Sequence, residues 1–231
     1  NGKALQGITN GSIFDANFKR IWVPIEENCI GGENIELWVE ATANSLFGVY
    51  TENDPAENSH NRYGNFPAKV ESMKLQIFNE SLWHLWLDIR IIHGLIKRLP
   101  ENSVQRAKVI ECTNTAIDIF ADDINNSEDC RKVLQEVLSN PSSASDLQVA
   151  AVGHAHIDTA WLWPVRESIR KCARTFSSQL AIIEKYPEYI FGASQPQHYQ
   201  FIKDHYPEIY ERIKTAVKNG QWEGQGGMWV E

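Results

Sequence analysis

The stretch LQVAAVGHAHIDTAW, residues 147–161, decides how this chain is interpreted. It opens with an apolar run, 147–152, that predicts a strand. His154, His156 and Asp158 then follow at alternate positions, and alternate side chains of an extended backbone point to the same side. Imidazole and carboxylate groups together are ligands for a divalent metal, most naturally zinc. A single histidine near a strand end is more often a structural residue, but these three side chains together favour a metal or catalytic site.

The sequence after the loop that ends near residue 146 alternates between strand and helix patterns. Strands joined by helices form βαβ units with a parallel sheet and right-handed crossovers. Such sheets keep their active sites at the carboxyl ends of the strands. The predicted fold class is therefore α/β, with an incomplete parallel, barrel-like β/α catalytic domain. Its expected strands and helices are strand 147–152, helix 166–186, strand 189–193, helix 199–219 and strand 221–231.

Two further regions are predicted before this domain. Residues 1–50 are expected to be a short β-rich amino-terminal piece, because IELWVEA at 35–41 alternates apolar and polar residues. A second candidate strand in that piece is 18–24. Residues 51–140 are interpreted as a linker and a helical region, and residues 141–231 as the start of the catalytic domain.

Three helices are expected in the helical region. The first follows a helical apolar stripe that begins at Met73 and is stopped by Pro100. The second is expected at 104–120. The third is expected to begin after the cap-forming cluster 125–127 and to end near Leu138. Short connections of this kind favour antiparallel helix hairpins.

Six of the chain's eight tryptophans fall into two groups. Trp83 and Trp86 lie on the apolar stripe of the first helix and are predicted to be core residues. The others lie near predicted strand ends and are candidates for a ligand cleft, because indole faces stack on sugar rings. These candidates are Trp161, Trp163, Trp222 and Trp229.

Composition excludes some classes of partner. The chain has 231 residues, a net charge of −8 and no basic stripe, so nucleic acid is not an expected partner. No apolar window reaches the length of a membrane span, so a membrane is not expected either. The four cysteines are widely spaced, which predicts buried free thiols in a reducing compartment. They are Cys29, Cys112, Cys130 and Cys172.

Three sequence blocks resemble the α-mannosidases of glycoside hydrolase family 38, and most closely the cytosolic and vacuolar branch with its bacterial relatives. The blocks are GHAHIDTAWLWP at 153–164, SSQLAIIEKYPEYIFGASQPQHY at 177–199 and NGQWEGQGGMWVE at 219–231. Their order and spacing agree with that family. The chain is accordingly interpreted as an amino-terminal fragment of such an enzyme.

The resemblance implies a retaining exo-α-mannosidase that acts on α-mannoside oligosaccharides with one divalent ion, most naturally Zn²⁺. It implies that His156 and Asp158 bind the metal and that Trp161 lines the sugar subsite, whereas His154 is not carried over as a ligand. The family's nucleophile, an Asp, follows the block at 226–231, and its acid/base carboxylate lies further on. The resemblance therefore implies that neither catalytic carboxylate lies within residues 1–231 and that these residues alone are inactive. A cytoplasmic location and a homo-oligomeric full-length protein are expected by the same analogy.

Two other functions stay open on the sequence. A metal-dependent amidohydrolase also begins its α/β barrel with HxH after the first strand, and there both His154 and His156 would bind metal. The tryptophan-rich blocks after the motif fit a sugar hydrolase better. The second alternative is a non-catalytic module that binds carbohydrate or a protein partner.

Overall fold

The structure is a computed structural model that describes residues 2–9, 21–25, 28–41, 72–140, 149–161 and 163–230. The chain forms two compact units. The α/β unit comprises Asn1–Lys69 and Ala150–Glu231, and the helical unit comprises Val70–Val149. The domain boundaries predicted at residues 50 and 140 stay predictions.

The helical unit contains helices α1 (Glu80–Ile96), α2 (Val104–Phe120) and α3 (Ser127–Leu138), with a 3₁₀ turn, Ile124–Asn126, before α3. Helix α1 starts at Glu80 because the Asn79 side chain accepts a hydrogen bond from the Leu82 backbone N–H at 2.9 Å. Ser103 caps α2 in the same way. The predicted limits of α2 and α3 are confirmed, whereas Met73 lies outside α1 and is exposed.

The core of the helical unit is apolar, as the helical spacing predicts. Its buried members come from α1, α2 and α3, and the Cys130 thiol donates to the Ala116 carbonyl at 3.2 Å. They are Leu85, Ile92, Val109, Cys112, Ala116, Cys130, Leu134 and Val137. Trp83 and Trp86 stack at 4.8 Å, but Trp86 is 42% exposed, so the prediction that it is a core residue is wrong.

The α/β unit contains a parallel sheet of three strands in the order β1 (Gly153–His154), β2 (Phe191–Ala193), β3 (Trp222–Gly224). Helix α4 (Val165–Lys185) connects β1 to β2, and α5 (Pro196–His205) and α6 (Pro207–Lys218) connect β2 to β3. The parallel α/β fold is thereby confirmed. Closure of the sheet into a barrel stays a prediction.

Aromatic residues fill the space between this sheet and its helices. Phe176 of α4 meets Phe191 of β2 and Trp222 of β3, with ring centroids 6.5 and 5.1 Å away and edge-on geometry. All three side chains are buried. Trp222 is therefore a core residue, and its predicted place in a ligand cleft is wrong.

The first strand and the second long helix of the α/β unit differ from their predicted extents. The first strand is Gly153–His154, because residues 149–152 carry no strand and 141–148 lie outside the described residues. The single helix predicted at 199–219 is two helices that meet at Tyr206. Pro207 explains the break, because proline lacks the N–H that would continue α5 and restricts the residue before it.

The carboxyl-terminal strand is also shorter than predicted. Within 221–231, only Trp222–Gly224 is a strand, because only these residues are in register with β2. Residues 225–230 are described without strand structure, and Glu231 lies outside the described residues.

The amino-terminal residues differ most from expectation. Residues 35–41 are exposed and form no strand, so the strand predicted there is wrong. The alternation has no hydrogen-bonded partner strand within the part of the chain that the structure describes. Of the candidate 18–24, residues 18–20 lie outside the described residues and 21–24 form no strand.

The residues near the amino terminus pack against α4 and α6. The Gly7 backbone N–H donates to Ser178 Oγ at 2.9 Å, and a Cβ on Gly7 would lie 2.6 Å from Arg174 Cβ. Glycine is therefore required by close approach to α4. The Arg212 guanidinium donates to the Ala4 carbonyl at 2.8 Å.

The described cysteines are free thiols. Cys112, Cys130 and Cys172 are buried, as predicted, but Cys29 is exposed, so the prediction of burial is wrong for that residue. Among the described helices, none combines the length and apolar composition needed to cross a membrane.

Candidate active site

The site is built on the backbone that leaves the carboxyl end of β1. Ile157 turns inward and is 7% exposed within the core of the α/β unit. Its neighbours His156 and Asp158 therefore point outward, and His156 Nε2 lies 3.3 Å from Asp158 Oδ1. Their side chains are 53% and 39% exposed. The structure thus brings together two of the three candidate metal-ligand side chains, His156 and Asp158, here called the donor pair. They lie at the edge of the sheet that the sequence indicated.

His154 lies inside β1 rather than beyond its end. It pairs with Gly192 of β2, and its side chain is exposed. In the part of the chain that the structure describes, three or more His, Cys, Asp or Glu side chains are nowhere grouped so as to hold a metal ion. The geometry supplies a pair of donors, and the metal-binding roles of His156 and Asp158 stay predictions.

Two tryptophans follow the donor pair with different environments. Trp161 is 56% exposed, and its ring meets Trp163 edge-on at 5.6 Å. Trp163 is buried, its indole N–H donates to Ser168 Oγ at 2.9 Å, and the Lys171 ammonium lies 4.2 Å from its ring. Trp163 is therefore an anchor and not a cleft residue, which corrects its prediction. Trp161 presents an open aromatic face, and its place in a sugar subsite stays a prediction.

Trp229 lies near the carboxyl ends of the other two strands. Its indole N–H donates to Gln197 Oε1 at 2.8 Å, and the Gln197 backbone N–H donates to its carbonyl at 3.1 Å. The side chain is nevertheless 57% exposed. Trp229 thus keeps the exposure that a cleft residue needs.

Buried polar residues that the sequence reasoning missed hold the donor segment, residues 156–160. Gln195 Nε2 donates to the Ile157 carbonyl at 2.8 Å, and Gln195 Oε1 accepts from the Thr159 hydroxyl at 2.9 Å. His198 Nε2 lies 3.0 Å from the same hydroxyl. Gln195 and His198 are 1% and 3% exposed.

Ser168, in the first turn of α4, holds the other side of the donor segment. Its fully buried hydroxyl oxygen accepts from the Ala160 backbone N–H at 2.9 Å and lies 3.4 Å from the Asp158 carbonyl. One sequence signal for these residues exists. Gln195 follows β2 as closely as the donor segment follows β1, and ends of adjacent parallel strands meet at one edge of the sheet.

Charged groups on α4 lie close to Ser168 and Trp163, and they differ in burial, since the Arg174 side chain is 42% exposed. Glu167 is 5% exposed and lies 3.2 Å from the Arg174 guanidinium. Burial lowers the pKa of Lys171, and the positive charge of Arg174 lowers that pKa further. The partly buried Lys171 ammonium lies over the Trp163 ring, and this cation–π contact offsets part of its lost hydration.

Comparison with known proteins matches the segment that carries the site to a described family. The family model described as Glycosyl hydrolases family 38 N-terminal domain matches residues 146–231. Alpha-mannosidase G of Dictyostelium discoideum is 34% identical over 237 residues, covering 100% of this chain and 21% of that protein. Alpha-mannosidase 2C1 of Mus musculus is 29% identical, covering 86% of this chain and 19% of that protein. The alpha-mannosidase of Saccharomyces cerevisiae is 31% identical, covering 84% and 19%. The chain thus spans about one fifth of the length of these curated relatives.

Proposed function

We propose that the full-length protein removes terminal non-reducing α-D-mannose from oligosaccharides or glycans, because residues 146–231 match the model of the glycosyl hydrolases family 38 N-terminal domain. The observation that carries this proposal is the outward-facing pair of His156 and Asp158, 3.3 Å apart at the carboxyl edge of the sheet. This pair lies inside the matched segment. Active sites of parallel α/β folds occupy that edge.

The donor chemistry of the pair fits a divalent metal ion, most naturally Zn²⁺. Imidazole nitrogen and carboxylate oxygen are both zinc ligands, and a catalytic zinc needs at least one more protein ligand and an open position. His156 and Asp158 would supply two of the protein ligands. When bound, such an ion would act as a Lewis acid and as a template for sugar hydroxyls. Both side chains are partly exposed, so sugar oxygens can approach them.

The remaining parts of the mechanism concern the sugar and two carboxylates. The exposed ring of Trp161 offers an apolar face on which a mannose ring stacks beside the donor pair. A retaining glycosidase needs a nucleophilic carboxylate and an acid/base carboxylate, about 5–5.5 Å apart. By the family pattern we place both outside residues 1–231. Residues 1–231 expressed alone should then neither hydrolyse α-mannosides nor bind zinc tightly.

The test uses the full-length protein, an aryl α-mannoside and three variants of the histidine–aspartate motif. Asp158→Asn and His156→Ala should each lower kcat/KM by at least about a hundredfold with little change in melting temperature, because a lost ligand weakens the ion. His154→Ala is the matched control and should retain activity.

This control separates the proposed function from its rivals. Loss of activity in His154→Ala, together with hydrolysis of amides rather than glycosides, would favour the amidohydrolase alternative. Binding of mannosides without turnover by the unmodified protein would favour a non-catalytic module. Near-normal turnover by Asp158→Asn would refute the assignment of the donor pair.

A further inference from the structure

We propose that Thr159, Gln195 and His198, here called the Thr159 network, are positioning residues that set the geometry of His156 and Asp158. None of the three is proposed to bind the metal ion directly. The inference rests on the proposed function, because it concerns how the donor pair is held ready for a cation. Its basis is a set of hydrogen bonds between buried groups on both sides of Asp158.

The orientation of the Gln195 amide follows from its backbone partner. The Ile157 carbonyl can only accept, so the amide group 2.8 Å from it must be the Gln195 NH₂. The Gln195 amide oxygen then faces the Thr159 hydroxyl, 2.9 Å away, and must accept from it. One side chain thereby holds the residues on both sides of Asp158.

The hydrogen bond from the Thr159 hydroxyl determines whether Nε2 of His198 carries a proton. A hydroxyl has one proton, and this proton is used in the bond to Gln195. His198 Nε2, 3.0 Å from the hydroxyl oxygen, must therefore carry a proton and donate it. Because Gln195 and His198 are almost completely buried, water cannot replace a lost partner without rearrangement.

The backbone of the donor segment explains why it needs this support. Ala160 has a φ of 59°, a left-handed conformation that is costly for a residue with a Cβ. Ser168 accepts from the Ala160 N–H at 2.9 Å and thereby holds that conformation from the α4 side. The Thr159 network holds the preceding residues from the β2 side. Asp158 therefore has an exposed carboxylate on a backbone fixed at both neighbours.

The experiment compares Thr159→Val with Thr159→Ser in the full-length protein. Valine keeps the shape of threonine but has no hydroxyl, whereas serine keeps the hydroxyl. The readouts are zinc affinity from competition with a chromophoric chelator, kcat and KM on an aryl α-mannoside, and melting temperature. Thr159→Val should weaken zinc affinity by about 10–100-fold and lower kcat more than it raises KM, as loss of an outer-shell partner does. Thr159→Ser should restore zinc affinity close to that of the unmodified protein.

Tyr199→Phe is the control for a merely structural effect. The Tyr199 hydroxyl donates to the Ala193 carbonyl at 2.7 Å and accepts from the Trp222 indole at 3.0 Å, so its loss destabilises the same unit without touching the donor segment. This variant should lower the melting temperature and leave zinc affinity unchanged. An equal loss of zinc affinity in Tyr199→Phe and Thr159→Val would overturn the inference, as would unchanged zinc affinity in Thr159→Val.

Two further outcomes keep the inference separate from the proposed function. If Thr159→Val does not fold, Thr159→Ala removes the same hydroxyl without placing a methyl group against Gln195, and the same criteria apply. If the unmodified protein binds zinc but hydrolyses no α-mannoside, the proposed function fails while the zinc affinities still decide the inference. If the unmodified protein has no zinc affinity, the inference fails together with the metal proposal.

Discussion

The helical unit and the α/β unit bury different kinds of residue. Among the described residues, the helical unit buries one polar side chain, Ser127. The α/β unit buries five, and they lie on α4, between β2 and α5, or in the first turn of α5: Glu167, Ser168, Ser177, Gln195 and His198. Buried polar groups are costly unless they are hydrogen-bonded, so their concentration in one unit needs a reason.

For three of these five residues, the reason is visible in what they hold. Ser168, Gln195 and His198 each contact the donor segment directly, at Ala160, Ile157 and Thr159 respectively. The helical unit has no comparable segment among the residues described, and its core follows the apolar stripes of its helices. A satisfied polar network specifies one backbone arrangement in a way that apolar packing does not. The difference thus separates a unit organised by packing from a unit organised around a site.

The largest expected effects come from opening each core. Phe176→Ala should cost about 3–5 kcal/mol, because it removes a fully buried ring and leaves a cavity. Leu134→Ala is the matched change in the helical unit and should cost about 2–5 kcal/mol. Hydrogen exchange of the full-length protein measures each unit separately. Phe176→Ala should reduce protection in α4 and α6, and Leu134→Ala in α1, α2 and α3. A uniform loss through both units in either variant would show that they do not open separately.

A smaller effect distinguishes the two kinds of buried polar group. Gln195→Ala leaves the Ile157 carbonyl without its 2.8 Å partner and should cost about 1–3 kcal/mol. Ser127→Ala removes a hydroxyl that donates to the Ile124 carbonyl at 2.6 Å and should cost about 0.5–1.5 kcal/mol. The same hydrogen-exchange experiment measures the loss of stability in both variants. Only Gln195→Ala should also lower zinc affinity; a similar decrease in Ser127→Ala would remove the functional distinction between the units.

The sequence predicted the helical unit better than the α/β unit for a physical reason. The signals that predicted its helices, an apolar stripe stopped by Pro100 for the first and the cluster 125–127 for the third, are local along the chain. The strands of the α/β unit have two or three residues each, so pairing between distant segments determines their limits. The expected strand at 147–152 has the right composition, but the ladder pairs Gly153 with Phe191 instead.

The candidate site could be predicted in part. Alternation placed His156 and Asp158 on one side because Ile157 is buried between them. The alternation did not show that His154 lies apart from this pair. His154 belongs to the pairing of β1 with β2, which joins residues far apart in the sequence. Gln195 could not be assigned from its own sequence neighbourhood, because its partners are 36 and 38 residues away. Pro207 was a signal for the helix break at Tyr206. A helical pattern continues on both sides of this break, and the sequence analysis therefore predicted one helix.

The smallest expected effect compares a buried thiol in each unit at alkaline pH. Burial raises the pKa of the Cys172 thiol from 9.0 to about 12, because the thiolate is poorly solvated there. Burial also raises the pKa of Cys130, and the Asp129 charge adds to the increase. Below pH 9 both folded and unfolded chains keep the proton on Cys172, and its contribution to stability is fully present. As pH rises from 9 towards 12, the unfolded chain loses this proton while the folded chain retains it, so stability falls. Between pH 8 and pH 10 the loss from Cys172 should be about 1 kcal/mol.

Urea unfolding measures the free energy of unfolding of the full-length protein and of its Cys172→Ala variant at both pH values. The change between pH 8 and pH 10 is then compared between the two proteins. The cavity made by alanine is the same at both pH values and cancels in this comparison. Cys130→Ala is the matched variant in the helical unit and should change the pH dependence less, because burial raises the pKa of Cys130 less strongly than that of Cys172. If the two variants change the pH dependence equally, the two cores exclude water equally well, and their difference lies in polar residues alone.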